Sequence, residues 1–378
     1  MDLQYTEEQL MLRNTVADFV SRESPISRAR KLHEDETGWE AAVWKQMGEL
    51  GWLAFPFAES LGGFGGQFVD AAIIVEELGK ALVPEPFVAS IVTAGQALAL
   101  AGNEQQQQNW LAPVLAGEAT LAFAASEADN RYHIAERAGT TLDANGNGYI
   151  LTGEKVWVDN GQAADTLLVT ASGPDGLTLV AVEADRDGVE RRTVKTIDGR
   201  RAAIIRFNGT PISADHIVGN PGDDTVALVD RVRDLGAAAA CAEAVGVSQV
   251  AFDMTVEYLK TRVQFDVPIG AFQALQHRAV DMFIENELLR AATLAAALRV
   301  DEDDVSERHM AVSAAKKQLA VGGKFVAYQA IQLHGGIGIT EEHDIGLYLK
   351  RMQALGVLFG DEAWHEARYA DEPAFQAR

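Results

Sequence analysis

Apolar residues along this chain change their spacing twice. Leu10, Leu12, Val16, Phe19 and Val20 recur with helical period behind Thr6-Glu7-Glu8-Gln9, which has the form of a capping box. Further helices are predicted around 44–50, 69–79 and 87–101, so residues 1–117 read as an all-helical domain. After Gly117 the pattern becomes short β-branched or alternating runs. These are Phe123, Tyr149-Ile150-Leu151, Lys155-Val156-Trp157-Val158, Thr166-Leu167-Leu168-Val169-Thr170, Leu177-Thr178-Leu179-Val180-Ala181-Val182 and Ala203-Ile204-Ile205-Arg206-Phe207. Asn145-Gly146-Asn147-Gly148, Gly173-Pro174-Asp175-Gly176 and Asp187-Gly188 punctuate them as turns, and the expectation is an antiparallel β domain over 118–222. Helical period then returns over 226–260, 271–298, 305–333 and 345–369, which predicts a four-helix bundle domain spanning 223–378. The fold class is therefore α+β, in the order helices, sheet, bundle.

Composition narrows the chemistry. At 378 residues the chain is long enough for about two to three domains. A net charge of −23 argues against nucleic acid or an anionic membrane as partner. Cys241 is the single cysteine, which leaves no disulfide framework. The opening Met1-Asp2-Leu3-Gln4 lacks a basic n-region, and no uninterrupted apolar run is long enough to span a bilayer, so a cytoplasmic location is expected. Gly62-Gly63-Phe64-Gly65-Gly66 has neither a preceding strand nor a following Lys-Ser/Thr, and is read as a turn rather than a phosphate loop. No His, Asp or Glu set has metal-ligand spacing: His334 and His343 are isolated, His365-Glu366 lacks a second histidine in register, and His277 is read as a polar packing residue. Trp52, Trp110 and Trp364 are read as core or interface aromatics.

One stretch is more specific. Tyr258-Leu259-Lys260-Thr261-Arg262-Val263-Gln264-Phe265, followed by Pro268-Ile269-Gly270, Phe272-Gln273 and His277, resembles the signature helix-turn-helix of the acyl-CoA dehydrogenases. That resemblance extends over nearly the whole chain and implies the acyl-CoA dehydrogenase fold, an acyl-CoA substrate, FAD and electron-transfer flavoprotein as electron acceptor. It also implies that Arg262 and Phe265 reach across a subunit interface to a neighbour's FAD, with Gln332, Gly335 and Gly336 beside them. Arginine suits a pyrophosphate because its planar fork gives charge-assisted donors, and glycine lets backbone approach phosphates closely.

Dehydrogenation of an acyl thioester needs a carboxylate to take the α-proton while hydride leaves the β-carbon. In most of the family that carboxylate belongs to a Tyr-Glu-Gly-Thr motif. Here the matching residues are Leu358-Phe359-Gly360-Asp361, so Phe359 stands at the base position and cannot accept a proton. The alternative family position, at the start of the first bundle helix, falls on Leu235-Gly236-Ala237 and is also without a carboxylate. Glu243, inside the apolar run 237–247, is the nearest substitute. It is a candidate for a displaced base, for a buried partner to an arginine, or for an interface group.

The motifs for a flavin of the chain's own are altered. Ser126-Glu127-Ala128-Asp129-Asn130-Arg131-Tyr132 lacks the family's glycine turn, and Trp157-Val158-Asp159 carries a carboxylate in place of a hydroxyl that would repel an anionic reduced flavin. Ser126 and Trp157 remain as candidate contacts. A lent half-site kept and an own half-site altered resembles the small, non-catalytic subunits of heteromeric acyl-CoA dehydrogenases, of the pimeloyl-CoA and bacterial steroid side-chain types. That resemblance implies a homologous large subunit in an α2β2 tetramer. Two other readings stand beside it: a self-sufficient homotetramer using Glu243, and a purely structural partner.

Overall fold

A computed structural model describes residues 5–130, 132 and 137–376; Arg131 of the Asn130-Arg131-Tyr132 loop lies outside the described residues. The chain forms two compact units, Met1–Lys31 with Phe68–Val83 and Ala237–Arg378, and Leu32–Gln67 with Pro84–Gly236.

The first unit is helical. Thr6 Oγ1 accepts from the Gln9 amide at 3.2 Å, and Gln9 Oε1 accepts from the Thr6 amide at 3.1 Å. This reciprocal cap opens the helix Glu7–Glu23, which buries Leu12, Val16, Phe19 and Val20 as the spacing predicts. The helix Phe68–Lys80 meets the long helix Asp223–Thr261 backbone to backbone. A Cβ at Gly246 would fall 2.1 Å from the Glu76 carbonyl oxygen, and one at Gly79 would fall 2.6 Å from that of Glu243. Any side chain at either glycine would push these helices apart.

The bundle continues with Gln273–Arg299 and Val305–Gln318. A π-helical turn, Leu319–Gly323, passes directly into Lys324–His334. The last expected helix, 345–369, is two helices, Ile345–Val357 and Glu362–Asp371. Between them Phe359 and Gly360 take φ of 58° and 126°, which no α-helix accommodates. Asp361 then caps the second helix, accepting from the Trp364 amide at 3.0 Å.

The helix Asp223–Thr261 is long and apolar enough to cross a bilayer, but 83% of its most apolar stretch is buried within the protein. It is a core helix.

The second unit is built on a sheet of eight strands: β1 Leu121–Ala124, β2 Thr141–Asn145, β3 Gly148–Asp159, β4 Thr166–Gly173, β5 Gly176–Glu183, β6 Val189–Lys195, β7 Arg201–Ser213 and β8 Ile217–Val218. The order is β6-β7-β3-β2-β4-β5-β8, with β1 on β4. The sheet is mixed, not wholly antiparallel as expected, because β1 pairs with β4 in parallel and β2 touches β4 in parallel at Thr141 and Ser172. Its core gathers Leu151, Val158, Leu167, Val169, Val180, Val182, Ile205 and Phe207. The edge strand β6 is almost wholly exposed and charged, so its alternation carries no apolar signal.

Candidate functional site

The long helix ends where Arg262 N donates to Tyr258 O at 2.9 Å, and the chain then turns through a hairpin rather than a bare loop. Val263–Gln264 pairs antiparallel with Val267–Pro268, and Ile269 N donates back to Arg262 O at 2.8 Å. The two-residue loop is Phe265-Asp266, with φ of 54° and 63°. Both residues are left-handed, as the primed hairpin turns demand, although neither is glycine. Phe265 is 87% exposed, its ring meeting only the edge of Phe272, with centroids 6.1 Å apart. Arg262 is exposed too, and its guanidinium has no hydrogen-bond partner among the described residues.

One turn before Arg262, Tyr258 stacks on buried His334 with ring centroids 4.6 Å apart, and the tilted ring of His343 lies 4.7 Å from that of His334. His334 Nδ1 donates to Ala330 O at 2.7 Å, and burial pulls the imidazole below its ordinary pKa, so it packs here as a neutral ring. The stack fixes Gln332 and the turn at Gly335 and Gly336 relative to the Arg262 corner. Gly335 has φ of 63° and ψ of −141°, a conformation open only to glycine. Apart from their neighbours in sequence, none of the described residues has an atom within 4 Å of the place a Cβ would take at Gly335 or at Gly336. An exposed guanidinium, an exposed amide and bare, open backbone form a surface that fits the polyanionic middle of FAD.

In the other unit the structure brings Ser126 and Trp157 together. Val156 N donates to Ser126 O at 2.9 Å, just past the end of β1. The register of β3 against β7 shifts between Lys155 and Val158, and Trp157 within that bulge takes φ of 53° and leaves its indole 64% exposed. A flat aromatic face presented this way fits a flavin ring. Asp159 has an interaction within the protein. Beneath the bulge Lys155, fully buried, donates to Glu127 Oε1 at 2.6 Å and to Thr170 Oγ1 at 3.0 Å. Burial lowers the Lys155 pKa, with Glu127 working against it. Glu127, despite partial burial, is held below the usual carboxylate range by Lys155 and by the amides of Thr140 and Gly139. This pair holds the strand ends in place and offers no free acid or base.

Glu243 is 3% exposed and gripped by Arg351, with Nε to Oε1 at 2.7 Å and Nη2 to Oε2 at 2.6 Å. Both carboxylate oxygens are thus engaged by one guanidinium, the partner that sequence reading left unidentified. Sequence reading also missed Lys316. This fully buried ammonium donates to Leu355 O at 2.8 Å and Leu358 O at 2.6 Å, closing the end of Ile345–Val357. Burial pushes its pKa down to about 8. His365 Nε2 donates to Phe359 O at 3.2 Å while its Nδ1 accepts from Ser313 Oγ at 3.2 Å. A Cβ at Gly360 would fall 2.5 Å from His365 Nε2. The turn that carries Phe359 is therefore a fixed structure, held by Lys316 and His365, without a carboxylate at its tip. His277 is exposed and touches none of these groups.

Three domain profiles match in series: "Acyl-CoA dehydrogenase, N-terminal domain" over residues 6–118, the middle domain over 122–209 and the C-terminal domain over 231–372. The chain is 32% identical over 363 residues to "Probable acyl-CoA dehydrogenase YngJ" of Bacillus subtilis, covering 93% of each. Among solved structures it is similar to a chain of the ChsE4-ChsE5 complex from Mycobacterium tuberculosis, with TM-score 0.89, 29% identity and 99% of each chain covered. It is also similar to a chain of a Tcur3481-Tcur3483 steroid ACAD variant, with TM-score 0.87, 27% identity, and 98% of this chain and 99% of that one covered. With all three domains present in order on the matching fold, this chain belongs to the acyl-CoA dehydrogenase family, oxidoreductases that act on CH–CH bonds.

Proposed function

We propose that this chain is the base-free subunit of a two-chain, FAD-dependent acyl-CoA dehydrogenase, lending contacts to a flavin held chiefly by a homologous large subunit in an α2β2 tetramer. The observation that carries this reading is the turn at Phe359. Lys316 and His365 hold its backbone in place, yet the side chain at the base position is a phenyl ring. Glu243, the one substitute, has both oxygens bound to Arg351, which supports a structural role.

FAD, when bound, supplies the hydride acceptor. This chain's own part is to bind and position it: Arg262 and Gln332 donate to the cofactor's phosphates and polar edge, and Gly335 and Gly336 leave room for backbone approach. Phe265, held out on its hairpin, packs against the neighbour's cofactor. Ser126 and Trp157 retain part of the chain's own flavin face, while the Asn130 loop lacks the glycine turn that would complete it. The two solved likenesses that carry paired names support a two-chain enzyme. The steroid ACAD likeness favours a bulky acyl group on the CoA thioester. We infer further that electrons pass to an electron-transfer flavoprotein and that the enzyme works in the cytoplasm.

The test is the visible absorption spectrum of the chain purified alone and after co-purification with its large-subunit homologue. Alone it is expected to be colourless or far below one flavin per chain, and with the partner the flavin bands appear. A full complement of tightly held FAD in a homo-oligomer overturns the reading in favour of a self-sufficient enzyme.

A further inference from the structure

The helical unit contains a cavity of about 270 Å³ that none of the residues assigned above to flavin or base lines. A space of this size admits a small organic acid. One side is apolar, formed by Val69, Ala72, Val245 and Leu294. The other carries Tyr5, Arg13, Glu76, Arg290 and Thr293.

The charges on that polar side do not cancel. Arg13 Nε binds Glu77 at 2.7 Å and its Nη2 reaches Glu76 at 3.4 Å. Arg290 Nη1 binds the same Glu76 oxygen at 2.9 Å, and Lys80 binds Glu77 at 2.6 Å. Of these three cations and two carboxylates, Lys80 and Glu77 do not line the cavity; among the described residues the lining itself holds Arg13 and Arg290 against Glu76, an excess of one positive charge. Burial raises the Tyr5 pKa, with Glu76 adding to the shift, so the phenol stays protonated and able to donate.

Thr293 gives the independent sign. It is 6% exposed, and its Oγ1 has no hydrogen-bond partner among the described residues. Threonines elsewhere in the helices avoid this by donating to the carbonyl four residues back: Thr93 to Ala89 at 2.7 Å, Thr255 to Ala251 at 2.7 Å and Thr261 to Glu257 at 2.8 Å. Thr293 does not, although leaving a buried hydroxyl unpaired is costly.

We propose that this cavity is a binding site for a short-chain monocarboxylate, its carboxylate received by Thr293, Tyr5 and the two arginines and its aliphatic body lying on Val69, Ala72, Val245 and Leu294. One negative charge balances the wall, and an acceptor satisfies the Thr293 hydroxyl. A dianion would exceed the available charge, and an amine would add a fourth cation.

The experiment is saturation-transfer NMR on the full chain with sodium butyrate, against butyramide and n-butylamine as matched shapes. Millimolar butyrate is expected to receive saturation, the amide and the amine much less. Thr293→Val, which keeps the shape and removes the hydroxyl, weakens butyrate about tenfold while the melting temperature holds. Ala297 also lines the cavity, and Ala297→Leu, which fills it, abolishes the signal. No transfer to butyrate, equal transfer to butyrate and butyramide, or an unchanged response in Thr293→Val each overturns the proposal.

Discussion

Arg351 holds both oxygens of Glu243 inside the bundle, at 2.7 and 2.6 Å. Breaking such a pair from one side strands a buried charge, whereas removing both members leaves an apolar contact. Arg351→Met alone is therefore expected to cost about 3–5 kcal/mol, and the double variant Glu243→Met/Arg351→Met to recover most of it. Urea unfolding of the three chains measures this. In the reconstituted complex Glu243→Gln should keep turnover within a few-fold. A loss of roughly 10²–10⁴-fold, the usual weight of a general base, would instead make Glu243 catalytic.

Arg262 is expected to act on a flavin of another chain. Arg262→Ala should lower FAD affinity of the complex about ten- to a hundredfold although the large subunit is unchanged, since a charge-assisted contact is worth about 1.5–3 kcal/mol. Arg262→Lys should restore only part, because a point charge cannot reproduce the guanidinium fork. FAD titration, with light scattering as the check on assembly, reads both. Unchanged affinity in Arg262→Ala would leave the corner a solvated turn.

Gly336 separates backbone strain from cofactor contact. Its φ is not positive, and apart from its neighbours in sequence none of the described residues approaches where a Cβ would stand. Gly336→Ala should leave the melting temperature of the isolated chain unchanged while reducing flavin content of the complex. Gly335→Ala differs, because φ of 63° with an extended ψ admits only glycine, and it should lower the melting temperature as well. Equal flavin content in wild type and Gly336→Ala would argue that no cofactor group comes near this turn.

Lys316 predicts a pH dependence. Its folded pKa is pushed down to about 8 from an ordinary 10.5, so below pH 8 the ammonium is charged in both states and its burial opposes folding. As pH rises past 8 the folded chain releases the proton before the unfolded chain does, and stability rises, by at most about 1.36 kcal/mol per pH unit. Cys241 works the other way, its thiol pushed up to about 12 from 9, but only above pH 9. Between pH 7 and 9 the stability of wild type relative to Lys316→Met should therefore rise. Denaturation curves at pH 7, 8 and 9 check it, and a constant gap would mean that Lys316 does not titrate there.

Local signals explain what was legible before any coordinates. Thr6 and Gln9 are three residues apart and cap each other, so the first helix could be placed to the residue. The apolar runs of β4 and β5 are buried on both faces and marked themselves as strands. By contrast β6 is an edge strand whose Glu190, Arg191 and Arg192 face solvent, and nothing in its pattern separates it from a loop. The break at Phe359 was hidden because Val357, Leu358 and Phe359 continue the apolar spacing of the helix before them. In the site, Glu243 stood out as a carboxylate in an apolar run, but its partner lies 108 positions away and only packing joins them. Lys316 and Lys317 are neighbours in sequence with opposite fates, the first buried under helix-end carbonyls, the second paired with Glu362 and Glu366 at the surface.

The hairpin at Phe265 bears on how the protein must be made. Its two strands have only two residues each, Val263, Phe265 and Val267 are exposed, and each strand has an open edge. Short strands limit templated pairing, yet an apolar tip held out by a left-handed turn is the kind of surface on which copies of a chain collect. Synthesis in excess of whatever covers that tip should convert soluble product into aggregate. If that cover is the proposed large subunit, soluble yield should follow the ratio in which the two chains are expressed, with Phe265→Ser relieving the dependence at the expense of assembly.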